Sequence, residues 1–309
     1  MTIDTDILTN EEKISFALRS LYFQRGFAPY RMSKFEEYEL YMKNKDFLRS
    51  QQVITFTDTN GRLMALKPDV TLSIVRAWRP VPGKVQKLYY DENVYRVSEN
   101  SGAFREIRQT GVECLGAEDI NPAEVLSLAL ESLALISPEY RLCVSLLGAV
   151  EDVLDSLHLD GDARRDALKC MGEKNVHELG AVCESAGVSP RDAERLVRLT
   201  LLSAAPQEAV TELKSIGCSE PALEEARRFA AVLPAESIGR VSLDFSILGD
   251  MRYYNALAFQ GYVRGVPSSV LSGGMYDRLL HRMGKPGRAV GFACCLDRLE
   301  RLEEVGENA

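Results

Sequence analysis

Residues 85–115, VQKLYYDENVYRVSENSGAFREIRQTGVECL, decide how this chain folds. Val85-Gln86-Lys87-Leu88-Tyr89-Tyr90 and the run from Ile107 to Leu115 have the aliphatic and aromatic character of strands. The polar loop Glu99-Asn100-Ser101-Gly102 lies between them. Side chains alternate across a strand, so positions 109, 111 and 113 look out from one face. Upstream, Ile54 to Asp58 and Leu63 to Leu66 read as two further strands around Asn60-Gly61, a tight-hairpin signal. Pro68 breaks the second of these, and Thr71 to Trp78 predict a helix. An opening helix is expected over residues 10–26: Thr9 or Asn10 caps it, Glu11 and Glu12 complement its dipole, and Gly26 ends it. Downstream, Asn121-Pro122-Ala123-Glu124 starts a helix with a cap and a proline in the first turn, running to about Ile136.

From about 145 to 235 the texture changes. Leu, Ala, Glu and Arg dominate, and breaks fall at Asp160-Gly161-Asp162, Gly187-Val188-Ser189-Pro190 and Ser219-Glu220-Pro221, which predicts a string of short helices. Strand patterning returns at Val241, Leu243, Phe245 and Ile247, then at Leu257, Phe259 and Gly261. Val270-Leu271 leads into Gly273-Gly274, and Val290 to Cys294 is a short apolar strand entering a helix over Asp297–Glu304. The order implies an α+β fold, an antiparallel sheet flanked by helices and interrupted by a helical insertion. The domains expected are a discontinuous core at 1–140 and 240–309 and a helical module at 141–239.

The chain has 309 residues, 46% hydrophobic and 27% charged, within the range of globular proteins. No apolar run reaches the roughly 18 residues that span a bilayer. The acidic start, Met1 to Asp6, lacks the pattern of a signal peptide, so a cytoplasmic location away from membranes is expected. The seven cysteines form no Cys-x-x-Cys pair and the three histidines are scattered. No metal and no cofactor are therefore expected, and the cysteines read as small buried hydrophobes. A net charge of −8 with no basic tail or stripe disfavours nucleic acid as a partner.

Four segments, in order, resemble the catalytic core of class II aminoacyl-tRNA synthetases of the histidyl type. Lys67-Pro68-Asp69-Val70-Thr71 is similar to an Arg-Pro-Glu-Gly-Thr segment. Tyr95-Arg96, the polar loop and Gln109-Thr110-Gly111-Val112-Glu113 resemble the second motif of the class and the strand after it. Gly249-Asp250-Met251-Arg252-Tyr253-Tyr254-Asn255 resembles the loop Arg-Gly-Leu-Asp-Tyr-Tyr-Thr. Gly273-Gly274-Met275-Tyr276-Asp277, then Val290-Gly291-Phe292-Ala293 and Leu296-Asp297-Arg298-Leu299, resemble a Gly-Gly-Arg-Tyr-Asp loop and the third motif. The resemblance spans roughly residues 10–135 and 240–302. Within it the chain looks most like the regulatory subunits of short-form ATP phosphoribosyltransferase, a branch without the anticodon-binding domain; the stop at Ala309 fits that branch.

The resemblance implies a histidine site. Asp69 and Thr71 would meet the ammonium group, Gln109 and Glu113 would line the same site, Tyr254 and Tyr276 would contact the imidazole, and Tyr253 and Arg96 would belong to the same histidine-binding set. Arg96 matches the arginine that grips phosphate and carboxylate in synthetases, and Arg298 the arginine at the adenine, a possible nucleotide remnant. Plainer readings stand beside these: Asp69 as a helix cap, Gln109 and Glu113 as solvent-facing strand residues, the tyrosines as packing, and Arg96 in a surface ion pair. No catalytic residue is assigned. Gly249 stands where the loop's activating arginine should be, and losing one such charge-stabilising donor costs about 2.7–4 kcal/mol of transition-state stabilisation. Met275 likewise replaces the arginine of the Gly-Gly-Arg-Tyr-Asp loop.

The expectation is thus a non-catalytic subunit, dimeric through residues 10–45. It would assemble with the short-form ATP phosphoribosyltransferase catalytic subunit into a hetero-oligomer, a hetero-octamer, with L-histidine as effector. The alternative is a stand-alone synthetase-like enzyme that activates histidine or a related amino acid with ATP.

Overall fold

The computed structural model describes residues 7–45, 48, 53–98, 101–118, 120–249, 251 and 253–299. They form two compact units, Met1–Glu139 with Val263–Ala309, and Tyr140–Tyr262. In chain order come α1 (Asn10–Gln24), β1 (Ala28–Pro29), β2 (Phe35–Glu37), α2 (Tyr38–Lys43), β3 (Thr55–Thr57), β4 (Leu63–Leu66), α3 (Thr71–Ala77), β5 (Val85–Val97), β6 (Phe104–Gly116) and α4 (Pro122–Ile136). The second unit follows with β7 (Tyr140–Leu146), α5 (Leu147–Ser156), α6 (Gly161–Gly172), α7 (Val176–Ser185), α8 (Pro190–Leu201), β8 (Ser203–Ala204), α9 (Pro206–Ile216), α10 (Glu220–Val232), β9 (Val241–Asp244) and β10 (Leu257–Val263). The chain then supplies β11 (Leu271–Met275), α11 (Asp277–Arg282), β12 (Arg288–Cys295) and a 3-10 turn, Leu296–Leu299, to the first unit.

The centre of the first unit is the long hairpin of β5 and β6, paired without a bulge from Val85↔Gly116 to Val97↔Phe104. Both strands outrun the apolar stretches that mark them in the sequence. Polar cross-strand pairs carry the extension: Asn93 and Tyr95 both donate to the Glu106 carboxylate from the facing strand. β12 adds antiparallel to β6, and β11 antiparallel to β12. β1 adds to β5 in parallel, so the sheet is mixed at that edge. A separate three-stranded sheet, β2-β4-β3, stands beside it.

Helices α1 and α4 pack on each other and on β5, β6 and β12. The start of α1 is a reciprocal capping box, in which Thr9 Oγ1 accepts from Glu12 N at 3.2 Å and the Glu12 carboxylate accepts from Thr9 N at 2.9 Å. Ile14, Leu18 and Tyr22, spaced four apart, form its buried stripe. The fully buried Tyr22 pairs its hydroxyl with Ser132 on α4. This covers one face of the hairpin. On its other face lie Gln109, Gly111 and Glu113, paired across β5 with Glu92, Tyr90 and Leu88.

In the second unit β7 and β9 pair in parallel, with β8 antiparallel to β9. Around them run the six helices α5–α10, as the texture of 145–235 predicts. The predicted breaks are helix starts: Asp160 accepts from the amides of Asp162 and Ala163, Ser189 accepts from Asp192 N, and Ser219 holds the cap position of α10. By packing, β9 and β10 group with these helices, whereas the motif resemblance assigns everything after 240 to the core. Glu99, Asn100, Asp250, Arg252 and the stretch beyond Leu299, including most of the expected Asp297–Glu304 helix, lie outside the described residues.

Candidate functional site

Glu113 is the focal group. It is 2% exposed, on the inner half of β6. Thr71 Oγ1 donates to its Oε1 at 2.5 Å, and the Tyr276 hydroxyl donates to its Oε2. Among the described residues no lysine, arginine or histidine pairs with it. Burial, only partly offset by those two hydroxyls, pushes its carboxyl up to about 8, and the Asp69 charge pushes the same way. An anion desolvated without a counter-charge is costly, and the arrangement favours either a proton or a cationic group brought in from outside.

The backbone makes the space. Gly291 on β12 lies opposite Glu113, and a Cβ there would sit 1.9 Å from Glu113 Oε2 and 2.4 Å from the Val112 carbonyl. Gly111 does the same for the facing strand, because a Cβ there would come within 2.6 Å of the Tyr90 hydroxyl. Only glycine fits either position.

The structure brings Asp69, Thr71, Glu113 and Tyr276 together. Thr71 opens α3, and Asp69 Oδ1 accepts from Leu72 N at 2.8 Å, so Asp69 serves as the cap of that turn as well as a charge beside Glu113. Gln109 is 4% exposed, with its amide nitrogen 3.6 Å from Cys295 Sγ. Gln109 and Glu113 are therefore buried and not solvent-facing. Arg96 donates from Nε to the Pro68 carbonyl at 3.0 Å, which ties β5 to the segment before α3. Arg298 donates to the Ser269 carbonyl and, at 3.3 Å, to Ser269 Oγ. Tyr253 and Tyr254 lie in the second unit, edge to face with ring centroids 4.8 Å apart. Their assignment to a ligand rests on the resemblance of their loop alone.

Sequence reading missed Tyr90, which is 2% exposed and directly across from Gly111. The signal was available, since a tyrosine facing a glycine in the hairpin register shares the face of Gln109 and Glu113. Burial first, and the Glu113 charge next, raise this phenol well above its ordinary value, so it keeps its proton.

Where an activating arginine is expected, Gly249 has φ +59°, and a Cβ would lie 2.6 Å from Cδ2 of the Tyr254 ring. Met275 is 3% exposed on β11, and Arg288 reaches its sulfur at 3.9 Å while pairing with Asp277 at 3.5 Å. No group of three or more His, Cys, Asp or Glu among the described residues is arranged to hold a metal ion. A cavity of about 320 Å³ is lined by Lys34, Lys67, Asp91, Glu92, Asn93, Tyr95 and Arg108, none of which is assigned to histidine. Among its charged residues, Lys67 pairs with Glu92 and Arg108 with Asp91 and Glu11.

A large mixed sheet backed by helices on one face is the fold of the class II aminoacyl-tRNA synthetases. The histidyl-tRNA synthetase family model matches residues 6–299. The chain belongs to the histidyl-tRNA synthetase family. It is 28% identical to the ATP phosphoribosyltransferase regulatory subunit of Alkaliphilus metalliredigens, over 92% of this chain and 74% of that one. It is 33% identical to the regulatory subunit of the same name from Moorella thermoacetica, over 82% and 67%. A crystal structure described as an ATP phosphoribosyltransferase regulatory subunit/histidyl-tRNA synthetase from Bacillus halodurans superposes with a TM-score of 0.81 at 26% identity, covering 97% of this chain and 82% of that one.

Proposed function

We propose that this chain is the non-catalytic regulatory subunit of a short-form ATP phosphoribosyltransferase. It assembles with the catalytic subunit, raises its activity and confers feedback inhibition by histidine. The observation that carries this reading is Gly249. The position expected to hold the activating arginine has a left-handed backbone and lies against the Tyr254 ring, so the charge needed for amino-acid activation is missing and has no room to return.

The histidine site is proposed around Glu113, with Asp69, Thr71, Gln109 and Tyr276. A ligand ammonium or imidazolium there supplies the cation that Glu113 lacks. The dimer through residues 10–45 and the hetero-octamer stay part of the proposal. Histidine acts as an inhibitor only if it binds one state of the assembly better than another, and about 1–3 kcal/mol of coupling suffices. The test is phosphoribosyl-ATP formation by the short-form catalytic subunit, with and without this chain, at rising histidine. Activity that appears with the chain and falls with histidine is expected. Activity indifferent to the chain overturns the reading, and ATP–pyrophosphate exchange with histidine by the chain alone would identify a free-standing activating enzyme instead.

A further inference from the structure

We infer that Lys285 is a positioning residue for Glu113, clamping together the two segments that bring hydroxyls to that carboxylate. Its effect on ligand binding rests on the histidine reading above; its effect on Glu113 does not.

Thr71 and Tyr276 reach Glu113 from segments far apart in sequence. Thr71 opens α3. Tyr276 stands at the base of a closed stretch, where its amide donates to the Ala289 carbonyl at 2.9 Å and the Ala289 amide donates to Asp277 Oδ1 at 2.8 Å. Lys285 lies inside that stretch, between α11 and β12. Its ammonium crosses to α3 and donates to the carbonyls of Val75, Arg76 and Trp78, the last two at 2.6 Å each. An ammonium has three donors, and all three are spent on the end of one helix, where unpaired carbonyls and the helix dipole both favour a cation. About 10 Å of helix separates that grip from Thr71. Beside it Gly287 lies so close to Trp78 that a Cβ would sit 2.7 Å from the indole ring.

Capping alone does not need Lys285. Arg79, from the segment that continues α3, already donates to the carbonyls of Arg76, Ala77 and Trp78. Burial, then the charges of Arg79 and Arg76, hold the proton affinity of Lys285 below that of an ordinary lysine. No carboxylate pairs with it among the described residues. A further cation is thus kept against two others at a helix end that is capped without it, and what Lys285 adds is the link to the Tyr276 stretch. With the link, Thr71 and Tyr276 meet the two oxygens of Glu113 from fixed sides. Without it, each hydroxyl is free to withdraw separately.

The experiment is carbon NMR of the glutamate carboxyls of the full chain across pH, with the Glu113 signal assigned from Glu113→Gln, alongside calorimetric titration with L-histidine. The two hydroxyls lower the Glu113 value, so loosening them raises its midpoint. Lys285→Met is expected to raise that midpoint by about half a unit or more and to weaken histidine binding about three- to tenfold. Arg79→Met removes a cap and a positive charge from the same helix end but no link; it is expected to lower the melting temperature and to change neither readout. A wild-type midpoint in Lys285→Met overturns the clamp, as does an equal rise in Arg79→Met, which would mark a cap or a through-space charge effect. If Lys285→Met does not fold, Lys285→Arg decides: it keeps the charge, but its planar fork cannot aim at three carbonyls as an ammonium does, and a wild-type midpoint there overturns the clamp too. Wild-type chain that does not bind histidine overturns the histidine reading and leaves the midpoint to decide the clamp.

Discussion

The sharpest test of the site is Glu113→Gln, read as a function of pH. The wild-type carboxyl is pushed from 4.5 to about 8 by burial without a counter-charge. Its folded value lies above its unfolded value, so between these two pH values the folded chain holds a proton that the unfolded chain has released. Stability from this group is fully present below about pH 4.5 and is lost as pH rises through about 8. The full difference is about 5 kcal/mol at 1.36 kcal/mol per unit, an upper bound because the unfolded reference is idealised. Glutamine has the same shape and no charge. The wild-type minus Glu113→Gln difference in unfolding free energy, measured by denaturant titration at pH 5, 7 and 9, should therefore fall by several kcal/mol across that range. Histidine binding should carry the matching signature. Below about pH 8 the carboxyl must release its proton to meet a cation, so wild-type affinity for a ligand bound through its ammonium group should tighten several-fold, at most about tenfold, from pH 7 to pH 9. Glu113→Gln should lose both the affinity and this trend. Stability curves that stay parallel for the two proteins from pH 5 to pH 9 would refute the reasoning, because they would mean Glu113 is ionised or solvated in the folded chain.

Other substitutions follow from the same geometry. Gly291→Ala places a Cβ 1.9 Å from Glu113 Oε2 and 2.4 Å from a main-chain carbonyl; it should cost about 1–3 kcal/mol in denaturant unfolding and abolish histidine inhibition, and an unchanged midpoint would contradict the packing. Gly249→Arg should give no ATP–pyrophosphate exchange and a lower melting temperature, since a left-handed backbone at φ +59° and the Tyr254 ring both oppose a side chain; appearance of exchange would show that the loop remains competent. Lys67→Met strands Glu92, which is paired with a lysine only 1% exposed. It should destabilise by about 3–5 kcal/mol, and a Lys67→Met/Glu92→Leu double variant should recover much of that loss.

The resemblance picked out the candidate residues because they are local in sequence: Lys67 to Thr71, then Gln109 to Glu113, then Gly273 to Asp277. Strand alternation alone put Gln109 and Glu113 on one face, and both turned out buried on the face opposite α1. What could not be read was tertiary. The role of Asp69 as cap and as neighbouring charge emerges only when α3 meets β6. Tyr90 was passed over because nothing beside it in the chain belongs to a motif; its place near Glu113 comes from register, residue 90 against residue 111. Strand β7 was also missed, since its buried run Leu142 to Leu146 merges without a break into the apolar start of α5. The short strands β1 and β8 span only two residues each, too few for any periodicity to show.

The two glycines that flank Glu113 and Tyr90 have a consequence for how such a site changes over time. The room at this site is cut out of the main chain, through side chains that are absent at Gly111 and Gly291. Main-chain spacing between hydrogen-bonded strands barely varies, so the width offered to a ligand does not depend on rotamer motion. Size is gauged by the ladder and chemistry by the groups that project over it. A lineage that altered its effector while keeping this sheet would therefore do so through the tyrosine, the glutamine and the carboxylate, with the two glycines held fixed.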